Sequence, residues 1–325
     1  MEPDLSTATD DASLLDAAAQ EMGRVVLGMP DLLRGVLIGL VAGGHVLLEG
    51  PPGLGKTLLA RALSNVVGGN FRRIQFTPDL MPSDVTGSNV YDPRSGQFQF
   101  RPGPVFAQIL LADEINRAPA KTQAALLEAM AESRVTVDGE TRDLPQPFFC
   151  LATQNPIESE GTYPLPEAQL DRFLVKLVVD HPPRAVELAL LQASLDGFDA
   201  ADLSNTHLRQ VLDPAGVLRE RAAARAVRVD AGLLGYVADI VGRTRQHPAV
   251  ELGASPRASI ALLRCAQVAA RFEGRAYVVP DDVKSLAPLV LRHRLLLLPD
   301  ALLEGARSDD VVAAILRDVP VPAHA

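Results

Sequence analysis

The stretch VLLEGPPGLGKTLLARAL, residues 46–63, places a glycine-rich turn between a short apolar run and a segment with helical apolar spacing. Within it, residues 50–57 read G-x-x-x-x-G-K-T, the pattern of a phosphate-binding loop. Glycines allow the backbone N–H groups of such a loop to surround an anion, and the dipole of the following helix favours negative charge there. The pattern therefore predicts a nucleoside-triphosphate site at the junction of a strand and a helix.

The predicted phosphate loop consists of Gly50, Pro51, Pro52, Gly53, Leu54, Gly55, Lys56 and Thr57. The ammonium group of Lys56 is expected to reach the β- and γ-phosphates, and the hydroxyl of Thr57 to bind Mg²⁺. The alternative is a tight turn followed by an ordinary helix. The apolar run before the loop and the helical spacing after it favour the phosphate loop.

Length and composition limit the class of protein. A chain of 325 residues is long enough for one large or two medium domains with a real hydrophobic core. The net charge of −9 disfavours a nucleic-acid-binding surface without excluding a local basic patch, so no nucleic-acid partner is expected. Cys150 and Cys265 lie in apolar segments, which favours the buried, reduced thiols of a cytosolic protein.

The sequence also lacks the patterns of export and membrane insertion. The first residues, MEPDLSTATDDASLLD, are acidic and polar, unlike a secretory signal. The longest apolar stretch, residues 36–48, is interrupted by glycines and a histidine and is too short to span a bilayer. We expect a cytoplasmic protein without a membrane span.

Apolar strands alternate with helical segments in the first part of the chain. Residues 12–41 show helical spacing with a break at LGMPD, and the expected strands are VLL, FRRIQFT, ILLAD, FFCLATQN and FLVKLVVD. This alternation predicts an α/β fold with a parallel sheet covered by helices on both faces. Two hairpins are also expected, one over residues 89–101 and one around Asp138 and Gly139, whose dipeptide is a strong turn signal.

The pattern changes after Pro182 and Pro183. From residue 184 onward the apolar spacing is helical and strand signals are few. We therefore expect a nucleotide-binding core over residues 1–182, including a helical lead and the two hairpins, and a helical second domain over residues 183–325.

Two carboxylates follow the third expected strand. Asp113 and Glu114 end the run ILLADE, where the carboxyl edge of a parallel sheet opens onto the phosphate loop. Asp113 is expected to hold Mg²⁺ through water, and Glu114 to orient and deprotonate the attacking water. The alternative is that both acids occupy the first turn of the next helix and favour its dipole.

Asn155 ends the fourth expected strand, in ATQNP. It is expected to project into the same edge and to position the attacking water beside the γ-phosphate. Thr153 lies two residues earlier on the same face, so the assignment between the two remains open. An Asn before Pro is also an ordinary turn residue.

Two arginines are candidates for contacting the γ-phosphate, where negative charge develops during transfer. Arg172 precedes the fifth expected strand in EAQLDRF, and Arg257 follows Ser255 and Pro256, which have the pattern of an N-cap and a first helical residue. The alternative for each is a surface or capping arginine in a weak ion pair, and spacing alone favours that alternative.

These motifs, in this order, resemble those of the AAA+ ATPases. The segments GPPGLGKT, ILLADE, ATQNP, EAQLDRF and GASPRA follow one another as in that superfamily. Four longer segments are similar to its MoxR branch: FTPDLMPSDVTG, GPVFAQILLADEINRAPAKTQAALLEAM, QNPIESEGTYPLPEAQLDRF and VLRHRLLLLP. The resemblance covers residues 14–300, nearly the whole chain.

The resemblance implies a P-loop core with a five-stranded parallel sheet, an all-helical lid and a ring, usually a hexamer, that hydrolyses ATP with Mg²⁺. It assigns Walker A to residues 50–57, Walker B to Asp113 and Glu114, and sensor 1 to Asn155. It makes Arg172 an arginine finger that acts on a neighbouring subunit, and Arg257 the sensor 2 residue of the lid. The turn at residues 92–96 is similar to the helix-2 insert of related subfamilies, and residues 135–141 to the hairpin before sensor 1.

The function that the resemblance implies is chaperone-like remodelling or maturation of a client protein, with metal-cofactor insertion among the known tasks and a von Willebrand factor A domain protein as a frequent partner. A nucleic-acid motor is an alternative that the acidic composition disfavours. A nucleotide switch that scaffolds without hydrolysis is another, disfavoured by the presence of Glu114 and Arg172. Phe98 and Phe100 are expected either to grip a client or, more ordinarily, to pack.

Overall fold

The computed structural model describes residues 7–156 and 162–322. The parts of the motif segments that fall at residues 1–6 and 157–161 lie outside the described residues. Within these ranges no helix combines the length and hydropathy that crossing a bilayer requires.

The elements alternate along the first half of the chain, and helices predominate in the second half. The strands are β1 Val46–Glu49, β2 Phe71–Gln75, β3 Gly87–Asp92, β4 Gln97–Pro102, β5 Ile109–Asp113, β6 Arg134–Val137, β7 Glu140–Asp143, β8 Phe149–Gln154, β9 Val175–Val178, β10 Val250–Leu252 and β11 Leu296–Leu297. The helices are α1 Thr7–Gly23, α2 Pro30–Ala42, α3 Lys56–Val67, α4 Pro82–Thr86, α5 Ala120–Glu132, α6 Glu167–Leu170, α7 Arg184–Leu195, α8 Pro214–Arg225, α9 Ala231–Thr244, α10 Pro256–Phe272, α11 Pro280–Leu291, α12 Pro299–Leu303 and α13 Ser308–Asp318.

A parallel sheet forms the centre of the first half, in the order β2-β5-β8-β1-β9. The five strands predicted from the sequence are these five strands, so the predicted parallel sheet is confirmed. Leu48 pairs with Thr153 on one side and with Leu177 on the other, which aligns the carboxyl ends of the three strands. Loops that leave these ends therefore lie side by side.

Each face of the sheet has its own hydrophobic core. Leu47 belongs to the core that α5 covers, whereas Leu48 belongs to the core that α2 and α3 cover. Successive residues of a strand point to opposite faces, so a continuous apolar run is required when both faces are covered. The αβα layering predicted from such runs is confirmed.

The core behind Leu48 continues into the second half of the chain. Leu262 of α10 and Val217 of α8 belong to the same cluster of buried residues. The second half also contains the short antiparallel pair of β10 and β11, which the sequence pattern did not predict. Strands of three and two residues are too short to show an alternating pattern.

Both predicted hairpins are present, and they contact each other. The Asn89 side chain in β3 donates to the Asp138 carboxylate at the tip of the second hairpin, at 2.7 Å. The Arg142 guanidinium lies 4.2 Å from the ring centroid of Phe100, which also packs edge-on against Phe106. Phe98 is 72% exposed. Phe100 is therefore packed, as the ordinary alternative expected, whereas Phe98 faces outward.

Both cysteines are fully buried, as the sequence predicted. Burial raises the pKa of the Cys150 thiol above its ordinary value and that of Cys265 to about 12. A buried thiol resists ionisation because its charged form loses hydration. Neither sulfur is therefore placed for chemistry.

His45, which precedes β1, is buried against the sheet. Its Nε2 donates to the Met130 carbonyl at 3.0 Å, and its Nδ1 accepts from the Cys150 N–H at 3.0 Å. These contacts fix the neutral tautomer, and burial lowers the pKa of His45 to about 4. Protonation would remove the acceptor that Cys150 uses.

We predict that the protein loses stability when the pH falls below about 6.5. In the unfolded chain His45 takes up a proton near pH 6.5, the ordinary histidine pKa, whereas in the folded protein it does so only near pH 4. The stability that neutral His45 contributes is therefore complete above pH 6.5 and is lost as the pH falls from 6.5 to 4. At pH 5 the loss from His45 is on the order of 2 kcal/mol. Urea unfolding at pH 7.5 and pH 5 measures it.

The control variant is His45→Gln, which has no ionisable group at this position. Its free energy of unfolding is expected to fall less between the two pH values than that of the wild type. Equal decreases in the free energy of unfolding of the two proteins would show that His45 does not cause the loss of stability.

Candidate functional site

The phosphate loop connects β1 to α3, as predicted. Gly53 and Gly55 have φ angles of 83° and 75°, a region that side chains rarely adopt. A Cβ at Gly50 would lie 2.3 Å from the Val179 carbonyl oxygen after β9, so close backbone approach requires glycine there. The glycines thus serve two different needs, backbone conformation within the loop and space at its start.

Lys56 is the first residue of α3, and its ammonium group donates to the Gly50 carbonyl at the start of the loop. The side chain therefore folds back across the loop. Partial burial lowers the pKa of Lys56, against the opposing effect of Asp113 and Glu114. The cation is therefore held against the start of the loop.

A cavity of about 800 Å³ lies beside this loop. Its walls include most of the loop, the ends of β5 and β8, and part of the segment that follows α7. The predicted site residues that line it are Pro52, Gly53, Gly55, Lys56, Thr57, Asp113, Glu114 and Asn155, whereas Gly50, Pro51 and Leu54 are not among its lining residues. Ala200 and Ala201 close another side, where Arg61 of α3 donates to the Ala201 carbonyl at 2.5 Å.

Asp113 is held between a hydroxyl and a guanidinium. The Thr153 hydroxyl donates to Oδ1 at 2.6 Å, and Arg73 donates to Oδ2 through Nη2 at 2.7 Å and Nε at 3.2 Å. Thr153 also accepts the backbone N–H of Glu114 at 2.9 Å. Thr153 thus orients both acidic residues.

Glu114 has a φ of 56°, an uncommon value for a residue with a side chain. It precedes a single 3-10 turn, Ile115–Arg117, and α5 begins only at Ala120. Its Oε2 accepts from Gln75 at 2.8 Å and from Arg117 at 3.0 Å. Glu114 therefore does not lie in the first turn of an α-helix, as the alternative interpretation required, and its side chain lines the cavity.

Asn155 is buried directly after β8, and Thr153 lies on the same face two residues earlier. The Asn155 carbonyl accepts from the side chain of Asn116 at 3.4 Å. Both residues line the cavity, as expected. The Thr153 hydroxyl contacts both Asp113 and Glu114, and the assignment of the water-positioning role to Asn155 or Thr153 stays a prediction.

Arg172 and Arg257 lie outside the residues that line the cavity. Arg172 is exposed, and its Nη1 donates to the Leu127 carbonyl of α5 at 2.7 Å. Arg257 is exposed on the first turn of α10, after the expected Ser255 N-cap and Pro256. Within one chain, the structure does not bring either arginine to the phosphate loop.

Two polar residues of β2 at this site were not predicted from the sequence. Arg73 and Gln75 lie on the same face of this edge strand, and both line the cavity through their contacts with Asp113 and Glu114. The available signal was the spacing of Arg73 and Gln75, which lie two residues apart in FRRIQ and therefore share one face of the strand. This spacing indicates a site only once β2 is known to pair with β5, which carries Asp113.

The residues present fit a nucleoside triphosphate with Mg²⁺. The loop backbone and Lys56 offer positive potential to phosphates, and the Thr57 hydroxyl and Asp113 carboxylate offer the hard oxygen atoms that Mg²⁺ prefers. Among the described residues there is no cluster of three or more His, Cys, Asp or Glu side chains suited to a metal.

Comparisons with known proteins agree with this geometry. Residues 45–175 match the family described as "ATPase family associated with various cellular activities (AAA)", and residues 242–315 match the AAA lid domain. The YeaC protein of Bacillus subtilis is 48% identical, with 95% of each chain covered. Chaperone MoxR1 of Mycobacterium tuberculosis is 43% identical over 95% of this chain and 82% of its own.

A solved structure shows the same architecture. It is a protein assigned as an ATPase from Cytophaga hutchinsonii, with 38% sequence identity, a TM-score of 0.90, and coverage of 98% of this chain and 97% of the other. Matches to the ATPase and lid-domain families and sequence identity over nearly the full length to named relatives point to one family. This chain belongs to the MoxR family of AAA+ ATPases.

Proposed function

We propose that the protein binds ATP with Mg²⁺ in the cavity at the phosphate loop, hydrolyses it, and uses the energy to remodel a client protein. The observation that carries the proposal is the convergence of Lys56 and Thr57 with Asp113 and Glu114 in one cavity. The relative named Chaperone MoxR1 supports the chaperone-like role. Maturation of a client enzyme, including metal-cofactor insertion, is the form of this role that the family resemblance favours.

In this mechanism the phosphate loop and Lys56 hold the β- and γ-phosphates. Thr57 and Asp113 would hold Mg²⁺, Asp113 through water, and the ion would supply charge neutralisation at the phosphates. Glu114 accepts a proton from the attacking water, and Asn155 positions that water.

We further propose that the site is completed by a second copy of the chain, in a ring of six. The exposure of Arg172, away from its own cavity, supports a role for this residue as a finger on a neighbour. Leu188, Leu191 and Leu195 form an exposed stripe on α7, an apolar surface suited to assembly. Arg257 is assigned the sensor 2 role, in which lid movement brings it to the nucleotide.

We also propose a division of the chain into two domains. We place the boundary at Pro182 and Pro183, between β9 and α7, with the nucleotide-binding core before it and the lid after it. We also propose that the protein is cytoplasmic, because buried reduced thiols suit that compartment. A protein with a von Willebrand factor A domain is the partner that the family resemblance favours.

Lys56→Ala is expected to abolish ATP binding while leaving the fold intact. The substitution removes the only side-chain cation of the phosphate loop, and the loop backbone is held by its own glycine conformations. Isothermal titration with ATP and Mg²⁺ measures the change, with Lys121→Ala, an exposed lysine of α5, as the control. Unchanged ATP affinity in Lys56→Ala would refute the loop assignment.

Glu114→Gln is expected to retain ATP binding and to lower turnover by roughly two to four orders of magnitude, as loss of a general base does. The amide still accepts a hydrogen bond but takes up no proton. Phosphate release at saturating ATP measures turnover, and Glu128→Gln on the exposed face of α5 is the matched control. Release within a few-fold of the wild type would place the base elsewhere.

Arg172→Ala is expected to be nearly inactive alone and to regain activity when mixed with Lys56→Ala. A mixed interface pairs an intact loop on one protomer with an intact arginine on the other, and an arginine supplied in trans contributes about 10³–10⁵ in rate in GTPases. Phosphate release from equimolar mixtures measures this.

The control is Arg134→Ala, since Arg134 is also an exposed arginine. It should remain active without mixing. Activity per chain that stays constant on dilution to a verified monomer would contradict a shared site.

A further inference from the structure

The carboxylate of Asp171, the residue just before Arg172, joins two parts of the second half of the chain. Its Oδ1 accepts from Arg294 Nε at 2.7 Å, and its Oδ2 accepts from the Ser255 hydroxyl at 3.1 Å. Arg294 lies 123 positions away along the chain, in the motif VLRHRLLLLP. One carboxylate thus contacts the lid at two separate points.

Arg294 is almost completely buried, with 3% of its side chain exposed. Its two Nη atoms donate to four carbonyl oxygens: Nη2 to those of Phe173 and Asp171 at 2.6 and 3.3 Å, and Nη1 to that of Leu174 at 3.0 Å and to that of Val290. Three of these carbonyls belong to residues 171–174. The guanidinium therefore holds the backbone on both sides of Arg172.

The neighbouring His293 adds a further contact to the same backbone. Its Nε2 donates to the Phe173 carbonyl at 3.0 Å. Burial and the adjacent Arg294 charge lower the pKa of His293, so the ring stays neutral. The short segment that leads into β9 is thus held by two consecutive lid residues.

Ser255 is the N-cap residue of α10, yet its hydroxyl makes no capping bond. It donates to Asp171 instead. An N-cap serine normally accepts a hydrogen bond from a free N–H of the first turn. In this protein the hydrogen bond to Asp171 replaces that capping bond, and Ser255 lies two residues before Arg257.

We propose that Asp171, Arg294 and Ser255 form a joint that positions Arg172 and Arg257 together. The inference rests on the proposed roles of these two arginines in ATP hydrolysis. Because the joint links the backbone at Arg172 to the start of α10, a movement of the lid shifts both arginines at once. Asp171, Arg294 and Ser255 are positioning residues, and the joint couples a protomer's lid to the site of its neighbour.

A purely structural ion pair is the alternative, and the lid contains a matched example. Asp282 accepts from Arg275 at 2.8 and 2.6 Å and is as well buried as Asp171 or better. It also accepts a backbone N–H at the start of α11. Asp282→Asn therefore disturbs a comparable lid ion pair that touches neither arginine segment.

The first measurement compares Asp171→Asn with Asp282→Asn in steady-state ATP hydrolysis. For Asp171→Asn we expect kcat to fall about tenfold or more, with KM for ATP within about threefold of the wild type, because the ATP-binding loop is untouched. For Asp282→Asn we expect both constants within about threefold of the wild type. Equal effects of the two variants on kcat would overturn the joint.

The second measurement mixes Asp171→Asn with Lys56→Ala. The Lys56→Ala protomer carries an intact joint and an intact Arg172, so the mixture should regain at least part of the activity that an Arg172→Ala mixture regains. Misfolded Asp171→Asn protomers would not be rescued in this way. If Arg172→Ala is inactive while Asp171→Asn is active, the joint alone is wrong, whereas an active Arg172→Ala means that the finger assignment is wrong.

The third measurement needs no nucleotide. Amide hydrogen exchange in Ser255→Ala should become about tenfold faster in residues 171–174 as well as at the start of α10, because each segment holds the other. Because Ser255→Ala removes only one hydroxyl group, it tests the joint even if Asp171→Asn fails to fold. Faster exchange confined to the start of α10 would overturn the joint.

Discussion

The parallel pairing of β1 with its two neighbours determines where the residues of the cavity lie. Leu48 is level with Thr153 of β8 and with Leu177 of β9, so the chain leaves the sheet at the same height on three strands. The phosphate loop then begins beside Thr153 and Asn155 without further adjustment. In the same way, a shift of one residue in the pairing of β8 with β5 would turn Thr153 away from Asp113.

Charge around this edge is balanced before a ligand binds. Arg73 neutralises Asp113, Gln75 and Arg117 hold Glu114, and Lys56 contacts the loop carbonyl at Gly50. Preorganised groups of this kind need little rearrangement when the ligand arrives, which favours catalysis by electrostatic stabilisation.

Local patterns predicted the parts of this structure that depend on neighbouring residues. The phosphate loop needs glycines at fixed spacing, the second hairpin needs Asp138 and Gly139, and the doubly covered strands need continuous apolar runs, so each was visible in the sequence. The position of Glu114 was predicted, but its left-handed φ was not, since that conformation is imposed by the contacts around it.

Contacts between distant segments were not predictable in this way. Arg73 acquires its importance only because β2 pairs with β5, and Asp171 only because Arg294 folds back across 123 positions. Ser255 has the sequence of an ordinary N-cap and was predicted as one, but tertiary packing redirects its hydroxyl to Asp171. Side-chain hydrogen bonds that override local preferences are found where parts of the chain meet.

The central claim is that one cavity holds both the phosphates and the metal of ATP. A crystal structure with Mg²⁺ and a non-hydrolysable ATP analogue tests it most directly. We predict the phosphates inside the loop at Lys56 and the ion on the side of Thr57 and Asp113. A nucleotide bound outside the loop, or an ion bound away from both Thr57 and Asp113, would contradict it.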